Sequence, residues 1–288
     1  MQTSATPGPA VVITGASTGI GAACALEMDR RGWRVFAGVR VAADGQRLLE
    51  QASPRLTPVR IDVSDQESVA GAAERVAAAV GAAGLAGLVN NAGIAVAGPL
   101  ELLPLDLVRR QLEVNVIGQV AVTQAMIPLL RAGRGRIVNI SSISGLVGAP
   151  YLGPYAASKH ALEALSDALR VELRAWGIAV SVVEPGNVKT PIWQKAQDQA
   201  RDLLRDLPAQ AESLYGPDIA AMQQATARMA AGGMPVWRVV RAVVHALTAR
   251  RPKTRYPVGL QTRLAACFWP LLGDRMRDWI MRRELGLR

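Results

Sequence analysis

Cysteine and histidine are scarce in this chain of 288 residues, which contains two of each. Cys24 and Cys267 are too few for a disulfide framework or a zinc cluster, and we interpret both as small packing residues. His160 and His245 have no neighbour at metal-ligand spacing, so we expect no metal centre. Aromatic residues make up only 4% of the chain, and its basic residues come without an array of stacking rings. Nucleic-acid binding is therefore not expected.

Long apolar runs are also missing. The first ten residues lack the basic start and the apolar stretch of a secretory signal, and no uninterrupted apolar run approaches the roughly 20 residues that cross a bilayer. We therefore expect a cytoplasmic protein. Half of the residues are hydrophobic, and the length suits one large α/β domain.

Charge is unevenly placed along the chain, whose formal net charge is +10. From Val236 to Arg288 there are twelve Lys or Arg and three acidic residues, so this end carries nearly all of the excess. A basic tail around the apolar "LAACFWPLL" could contact anionic lipid or acidic ligands. The same residues could instead form a packed helix with solvated arginines, cover a subunit interface or shield a cleft. Pro270 interrupts the apolar run, which predicts two short elements in place of one continuous anchor.

Short apolar, β-branched runs alternate with longer helical patterns between residues 10 and 186. Six runs are predicted strands: "AVVIT", "WRVFAGV", "LTPVRI", "AGLVN", "GRIVNIS" and "IAVSVVE". Strands that are apolar throughout, with room for a helix between them, are typical of a parallel sheet buried on both faces. The sequence therefore predicts an α/β fold with a doubly wound parallel sheet and right-handed crossovers. A helix at about 235–250 and an edge strand in "TRYPVG" bring the sheet to about seven strands.

A glycine-rich turn, "TGASTGIG" at 14–21, follows the first predicted strand and opens a helical pattern. Gly15 allows the tight turn. Gly19 and Gly21 let the backbone approach a phosphate and let the next helix pack close to the strand, while that helix offers its N-terminal amides to the anion. This context favours nucleotide binding over the alternative, a glycine-rich turn without a ligand.

Five further motifs follow this turn in order. They are "NNAG" at 90–93, "LEVNVIG" with Asn115, "IVNISS" ending at Ser142, Tyr155 with Lys159, and "PGNVKT" at 185–190. Together the six resemble the signature set of the short-chain dehydrogenase/reductases over about residues 10–190. "VFAGVR" and "RPKTRYPVG" are similar to the hydroxysteroid and retinol dehydrogenase branch. The resemblance implies a single Rossmann-type catalytic domain over 1–258, with a substrate lid at about 187–235 and a basic tail at 259–288.

Tyr155 and Lys159 stand four residues apart, on one side of a predicted helix. An unperturbed tyrosine has a pKa of about 10. A cation at roughly 7 Å, with an effective dielectric near 20, favours the phenolate by about 2.4 kcal/mol, which predicts a pKa of Tyr155 shifted towards neutrality. Tyr155 could then exchange a proton with a carbonyl or alcohol oxygen while hydride passes between substrate and nicotinamide. By resemblance, Lys159 also binds the nicotinamide ribose.

Two further catalytic residues are predicted. Ser142 ends the fifth strand, where its hydroxyl can hold the substrate oxygen; Ser141 is a rival, but the spacing to Tyr155 favours Ser142. Asn115 lies beside an apolar helical stripe, where a poor helix former suggests a function. By resemblance it holds a water that relays protons to Lys159, and the alternative is a satisfied buried amide.

The end of the second strand indicates the form of the cofactor. A carboxylate there would favour NAD, whereas this chain has Arg40, whose guanidinium can fork onto a 2′-phosphate. Thr18 could add a hydroxyl to the same phosphate. Against this, Ser17 stands where many NADP-preferring relatives carry a basic residue. We expect NADP(H) to be preferred over NAD(H).

The resemblance implies the remaining cofactor contacts. Asp62 would accept a hydrogen bond from the adenine amino group, residues 91–93 would border the adenosine, and Val188 and Thr190 would meet the carboxamide and pyrophosphate. The complete predicted set is Gly15, Ser17, Thr18, Gly19, Ile20, Gly21, Arg40, Asp62, Val63, Asn91, Ala92, Gly93, Tyr155, Lys159, Pro185, Gly186, Val188 and Thr190.

The stretch from 191 to 235 corresponds to the family's lid over the substrate. Its large apolar residues are Ile192, Trp193, Leu203, Leu204, Leu207, Tyr215, Met222, Met229 and Met234. Such residues can line an apolar cleft, and they can equally be packing. We expect a lipophilic ketone, aldehyde or alcohol of steroid, retinoid or lipid type as substrate. Family members pair through two long helices, here about 104–131 and 153–176, which implies a homodimer or homotetramer.

Three other functions remain open at this point. One is a dinucleotide-binding sensor or scaffold without turnover, whose usual mark, loss of the tyrosine or lysine, is absent. Another is an NAD-dependent alcohol dehydrogenase. The third is a nucleotide-sugar epimerase or dehydratase, from whose TGxxGxxG turn "TGASTGIG" differs.

Overall fold

The computed structural model describes residues 8–205 and 209–287 of the chain. Seven parallel strands form one sheet, in the order β3-β2-β1-β4-β5-β6-β7. The strands are β1 Ala10–Ile13, β2 Arg34–Val39, β3 Leu56–Arg60, β4 Gly87–Asn90, β5 Arg136–Ile140, β6 Ala179–Pro185 and β7 Arg255–Val258. The six predicted strands and the predicted edge strand are all confirmed, as is the doubly wound fold.

Helices cover both faces of this sheet. They are α1 Gly19–Arg30, α2 Ala42–Leu49, α3 Gln66–Val80, α4 Leu105–Leu112, α5 Gly118–Gly133, α6 Gly153–Glu172, α7 Ile192–Arg205, α8 Ala209–Gly232, α9 Trp237–Thr248, α10 Leu260–Phe268 and α11 Asp274–Leu285. Alternate residues of β1 show why the strands are apolar throughout. Val11 and Ile13 pack in the core that includes Val243 of α9, and Val12 packs in the core that includes Met126 of α5.

The first of the two long predicted helices is not continuous. A π-helical turn, Glu113–Ile117, separates α4 from α5, and Asn115 lies at its centre. π-helical turns inside α-helices are frequent at functional sites. By length and apolar composition, the stretch Leu105–Gly133 is the one helix among the described residues that could cross a membrane. Its buried residues Val122, Met126 and Leu130 pack under the sheet, as in a core helix.

Two stretches after Gly186 lie outside the sheet, the predicted lid at about 187–235 and the tail at 259–288, whereas α9 packs in the sheet core and β7 is its edge strand. Val188 forms a parallel bridge with Met234, so the two ends of the lid segment are tied together beside β6. The lid contains α7 and α8, where the sequence pattern indicated only helically spaced apolar residues. Leu207 lies outside the described residues, as do the side chains of Leu203, Leu204 and Met229.

The tail consists of α10 and α11, joined by the 3₁₀ turn Trp269–Leu271. Pro270 lies in this turn, so the prediction of two short elements is confirmed. Leu285 of α11 packs with Met222 and Ala225 of α8, and Tyr151 joins the same cluster. The tail therefore covers part of the lid.

Candidate active site

A cleft of about 250 Å³ opens at the carboxyl ends of the strands. It lies where the strand order reverses between β1 and β4, since one of these strands leads to β2 and the other to β5. In open α/β sheets this switch point is where ligands bind. The cleft therefore lies where the glycine turn and the Tyr155 motif were expected to meet.

The glycine turn forms one wall of the cleft. Gly15 and Gly19 have φ angles of +62° and +60°, a left-handed conformation that favours glycine. A Cβ on Gly21 would lie 2.3 Å from the Gly15 carbonyl oxygen, so Gly21 lets α1 pack against the turn and does not itself line the cleft. Thr18 precedes α1 without capping it, and the first turn of the helix has no acidic residue. The helix start is thus suited to an anionic ligand.

Asn91 braces this wall from β4. Its side-chain amide donates to the carbonyl oxygens of Thr14, at 3.0 Å, and Gly15, at 3.1 Å. Its backbone N–H donates to the Thr14 hydroxyl at 2.9 Å. Asn91 therefore fixes the glycine turn with its side chain, in addition to lining the cleft.

Tyr155 and Ser142 meet on the opposite wall. Both side chains border the cleft, and Ser142 acts to lower the pKa of Tyr155. The Ser142 hydroxyl also accepts the Ser144 backbone N–H at 3.1 Å, which fixes its position at the end of β5. Ser141 also borders the cleft, but its hydroxyl is buried and has no partner among the described residues. The effect of Ser142 on the pKa of Tyr155 favours Ser142 over Ser141.

Lys159 extends from the next turn of α6 towards the same point. Its Nζ lies 5.8 Å from the centre of the Tyr155 ring and donates to the Ile140 carbonyl oxygen at 2.8 Å. Burial lowers the pKa of Lys159 to about 8, against the opposing effect of Glu163. The ammonium is therefore close to losing its proton at mildly alkaline pH.

The pKa of Tyr155 differs from the sequence-based expectation, which was wrong in direction for the cofactor-free chain. Burial raises the pKa of Tyr155 above its ordinary value, and Ser142 lowers it only in part. Tyr155 is enclosed, with 5% of its surface exposed, and the Trp193 ring packs edge-on against it at 5.6 Å between centroids. Desolvation of the phenolate outweighs the attraction of Lys159. Burial also disfavours the charged form of Lys159 itself.

Asn115 lies behind the cleft wall and does not border the cleft. Its side chain accepts the Ile94 N–H at 2.9 Å and donates to the Ile94 carbonyl at 3.0 Å and the Ser158 hydroxyl at 3.1 Å. The side chain is therefore a satisfied buried amide that holds the β4 loop against α6. Whether Asn115 also holds a relay water stays a prediction.

The far end of the cleft is strongly charged. Arg40 and Asp62 border it, and a neighbouring pocket of about 330 Å³ adds Arg109, Arg110 and Glu113 from the α4 side. Burial acts to raise the pKa of Asp62, but hydrogen bonds from Ser64 and the charges of Arg40 and Arg110 outweigh it and hold that pKa below its usual value.

Most predicted site residues meet in this one cleft. Of the predicted catalytic and cofactor set, Asn115 and Gly21 are the two that do not border it. The sequence analysis did not assign several residues of the cleft and its neighbouring pocket to the site, among them Arg110 of α4 and Lys195 and Gln199 of α7. Arg110 precedes Val114, another cleft residue, by one helical turn, and that spacing was available as a signal. His160 lies on the exposed side of α6, with Nδ1 2.9 Å from the Ala156 carbonyl oxygen.

No group of three His, Cys, Asp or Glu side chains that could hold a metal ion occurs among residues 8–205 and 209–287. The residues present do fit a nicotinamide dinucleotide. The glycine turn leaves space beside the start of α1, and Arg40 has no hydrogen bond or ion pair to any described residue.

A family model described as "short chain dehydrogenase" matches residues 9–201. The chain belongs to the short-chain dehydrogenase/reductase family, so the resemblance inferred from the motifs is confirmed. It is an oxidoreductase that acts on CH–OH and C=O groups.

Three relatives support the hydroxysteroid and retinol dehydrogenase branch. An NADPH-dependent 3-dehydrocapnine reductase from Ornithobacterium rhinotracheale is 36% identical over 95% of this chain and 96% of its own length. The 17-beta-hydroxysteroid dehydrogenase type 6 of Bos taurus is 38% identical over 95% of this chain and 88% of its own length. Retinol dehydrogenase 5 of Homo sapiens is 38% identical, with coverages of 94% and 88%.

Two solved structures share the fold and differ in their cofactor. A short chain dehydrogenase from Burkholderia cenocepacia J2315, in complex with NADP, is 28% identical with a TM-score of 0.71 and coverages of 96% of this chain and 97% of its own. A short chain dehydrogenase/reductase from Burkholderia phymatum, in complex with NAD, is 26% identical with a TM-score of 0.75 and coverages of 98% and 96%. Similar structures thus accept either dinucleotide.

Proposed function

We propose that this chain interconverts a lipophilic ketone or aldehyde and its alcohol, with NADP(H) as the preferred cofactor. The observation that carries the reaction is the meeting of Tyr155, Ser142 and Lys159 in the cleft that also contains the glycine turn. A nicotinamide dinucleotide bound there would supply or accept the hydride.

Each side chain has a definite task in this proposal. Ser142 holds the substrate oxygen, and Tyr155 gives that oxygen a proton in reduction or takes one in oxidation. Lys159 stabilises the phenolate that Tyr155 forms on giving up its proton, and it orients the ribose beside it. Since burial disfavours that phenolate, a charged Lys159 is needed for the step. Asn115 keeps the Ile94 loop and α6 in place and holds the relay water expected from the family.

The preference for NADP(H) rests on the charge at the far end of the cleft. Arg40 has no hydrogen bond or ion pair to a described residue, and Arg110 adds a second positive charge near Asp62. A guanidinium that makes no hydrogen bond to a described residue suits a 2′-phosphate, which can accept a forked pair of hydrogen bonds. Thr18 lies on the same wall with a hydroxyl that does not cap α1. The Asp62 carboxylate can still accept a hydrogen bond from the adenine amino group.

A lipophilic substrate is supported by the wall above Tyr155. Trp193, Ile192 and Ala196 of α7 pack with Tyr155 and Ala95 in one apolar cluster. Apolar walls with few polar groups are typical of sites for hydrophobic small molecules. The similar proteins include a 17-beta-hydroxysteroid dehydrogenase and a retinol dehydrogenase, which agrees with this choice.

The tail is proposed to rest on the surface of an anionic membrane. Leu260, Leu264 and Phe268 recur every four residues on α10, with 73%, 48% and 58% of their surfaces exposed. Trp279 of α11 is 54% exposed, and the region carries the excess of positive charge. Exposed apolar residues beside arginines are the signature of an interfacial helix. We further propose a cytoplasmic protein that forms a homodimer or homotetramer through α4–α5 and α6.

The activity test uses the whole chain. NADPH and NADH are each titrated, and oxidation is followed optically with a panel of apolar and polar ketones and aldehydes. We expect turnover of apolar carbonyls with NADPH, and a loss of about 10³-fold in kcat for Tyr155→Phe, which keeps the ring but removes the proton donor. Full activity of Tyr155→Phe would overturn the mechanism. Turnover confined to polar carbonyls would overturn the substrate class.

A further inference from the structure

A charged stripe runs along α6 from the cleft to the protein surface. Tyr155, Lys159, Glu163 and Asp167 recur every four residues, a spacing that places them on one side of the helix. The first three are buried, with 5%, 6% and 7% of their surfaces exposed. Asp167, whose side chain is 44% exposed, ends the stripe in solvent.

Glu163 is held from the opposite side by Arg255 of the edge strand β7. An Arg255 Nη1–H donates to Glu163 Oε2, and Nη1 lies 3.3 Å from Glu184 Oε1. Arg255 Nη2 donates to Asp167 Oδ2 at 2.7 Å. One guanidinium thus orients three carboxyl groups, two from α6 and one from β6.

The cluster of Arg255 and its three carboxyl groups is not explained by a contribution to stability. Glu163 Oε1 and Glu184 Oε2 are buried and have no hydrogen-bond partner among the described residues. Burial and the nearby Glu163 raise the pKa of Glu184 to about 7. Buried ion pairs with unsatisfied oxygens contribute little net stability, because their desolvation offsets the Coulombic gain. Stability alone therefore does not explain Glu163. Besides Arg255, Glu163 has Lys159 as a charged neighbour, one helical turn earlier on α6.

We propose that Glu163, anchored by Arg255, is a positioning residue that keeps Lys159 in its charged form inside the buried site. The proposal rests on the role of Lys159 given above and extends it one helical turn away from the cleft. Glu163 follows Lys159 on the same face of α6, and no ion pair between their side chains occurs in the described part of the chain. The effect is therefore exerted through space, while Lys159 Nζ donates to the Ile140 carbonyl oxygen beside the cleft.

The charges around Lys159 support this assignment. The groups that face Lys159 and Glu163 are Tyr155 and Asp167 on α6, Glu184 on β6 and Arg255 on β7. Glu163 raises the pKa of Lys159 against the effect of burial. Removal of its charge would leave burial unopposed, so the lysine would lose its proton at lower pH.

The test follows the lysine directly and needs no turnover. The chain has four lysines, of which Lys189, Lys195 and Lys253 are exposed, so side-chain NMR of the full chain with ¹³C-labelled lysine can follow Lys159 against three internal references. Loss of one signal in Lys159→Met assigns the resonance. We expect Glu163→Gln to lower the titration midpoint of Lys159 by about one pH unit.

Asp167→Asn is the matched control, since Asp167 also binds Arg255 but does not act on Lys159. It should leave the Lys159 midpoint unchanged, and Glu163→Asp should give an intermediate value. An unchanged midpoint in Glu163→Gln, or an equal fall in Asp167→Asn, would overturn the proposal. If Glu163→Gln does not fold in a thermal unfolding scan, an unchanged midpoint in Glu163→Asp would overturn it instead.

The pH dependence of kcat/KM tests whether the charge of Lys159 matters for catalysis. In Glu163→Gln the alkaline limb of kcat/KM should move to lower pH by about the same amount as the NMR midpoint, while kcat/KM at pH 6 changes less than three-fold. A uniform loss at every pH would indicate a structural role and count against the proposal. Failure of the wild-type chain to turn over any carbonyl would refute the proposed function alone, because the NMR titration would still decide the role of Glu163.

Discussion

The sheet core, which includes α9 and β7, buries its apolar side chains more completely than the predicted lid and the tail do. Ile13, Leu88 and Ile137 of the central strands are fully buried between two layers of helices. In the tail, Phe268 and Leu271 have 58% and 78% of their surfaces exposed. The family model, which matches residues 9–201, likewise ends inside α7. We expect the sheet core to bind the cofactor and carry the chemistry, and the lid and tail to set the substrate and the surroundings.

This contrast can be tested first at the cofactor end. Arg40→Asp replaces a guanidinium that makes no hydrogen bond or ion pair to any described residue by a carboxylate, which would repel a 2′-phosphate. We expect the Kd for NADPH to rise about 100-fold, because a charge-assisted pair is worth roughly 1.5–3 kcal/mol and the new repulsion adds to its loss. Fluorescence titration of the free enzyme measures both dinucleotides.

Arg109→Ala is a matched control from the neighbouring pocket, because it removes a nearby arginine charge and leaves Arg40 in place. NADH should bind Arg40→Asp at least as well as it binds the wild type. Equal losses for NADPH and NADH in Arg40→Asp would refute the NADP preference and leave the glycine turn as the only determinant of binding.

The second test moves to the lid. Trp193→Ala removes the ring that packs on Tyr155 and opens the apolar wall above it. We expect KM for a bulky apolar ketone to rise about ten-fold, because loss of a half-buried indole removes part of the few kcal/mol that a fully buried ring contributes. kcat with a small water-soluble aldehyde should change less than three-fold. A large loss of kcat with the small substrate would place Trp193 in the chemical step. It would contradict the separate roles of the sheet core and the lid.

The same division explains how far the sequence could predict the structure. All seven strands and the meeting of Gly15, Tyr155 and Lys159 followed from apolar runs and spaced motifs, since a parallel sheet brings its strand ends together. The π-helical turn at Asn115 was not predicted, because it depends on the hydrogen bonds of Asn115 to Ile94 and Ser158 across the chain. The raised pKa of Tyr155 was missed because burial under Trp193 cannot be read from helical spacing. Arg255, 92 residues from Glu163, was missed for the same reason.

The smallest effect on catalysis is expected at the tail. Leu264→Asp with Phe268→Asp places two charges in the exposed stripe of α10 and leaves the cleft untouched. We expect co-sedimentation with vesicles containing anionic phosphatidylserine to fall at least ten-fold, since two apolar side chains no longer enter the lipid. kcat/KM for a water-soluble carbonyl should stay within two-fold of the wild type. Weak binding of the wild type, together with a smaller oligomer in the variant, would show that a second copy of the chain covers the stripe, and the membrane proposal would then be wrong.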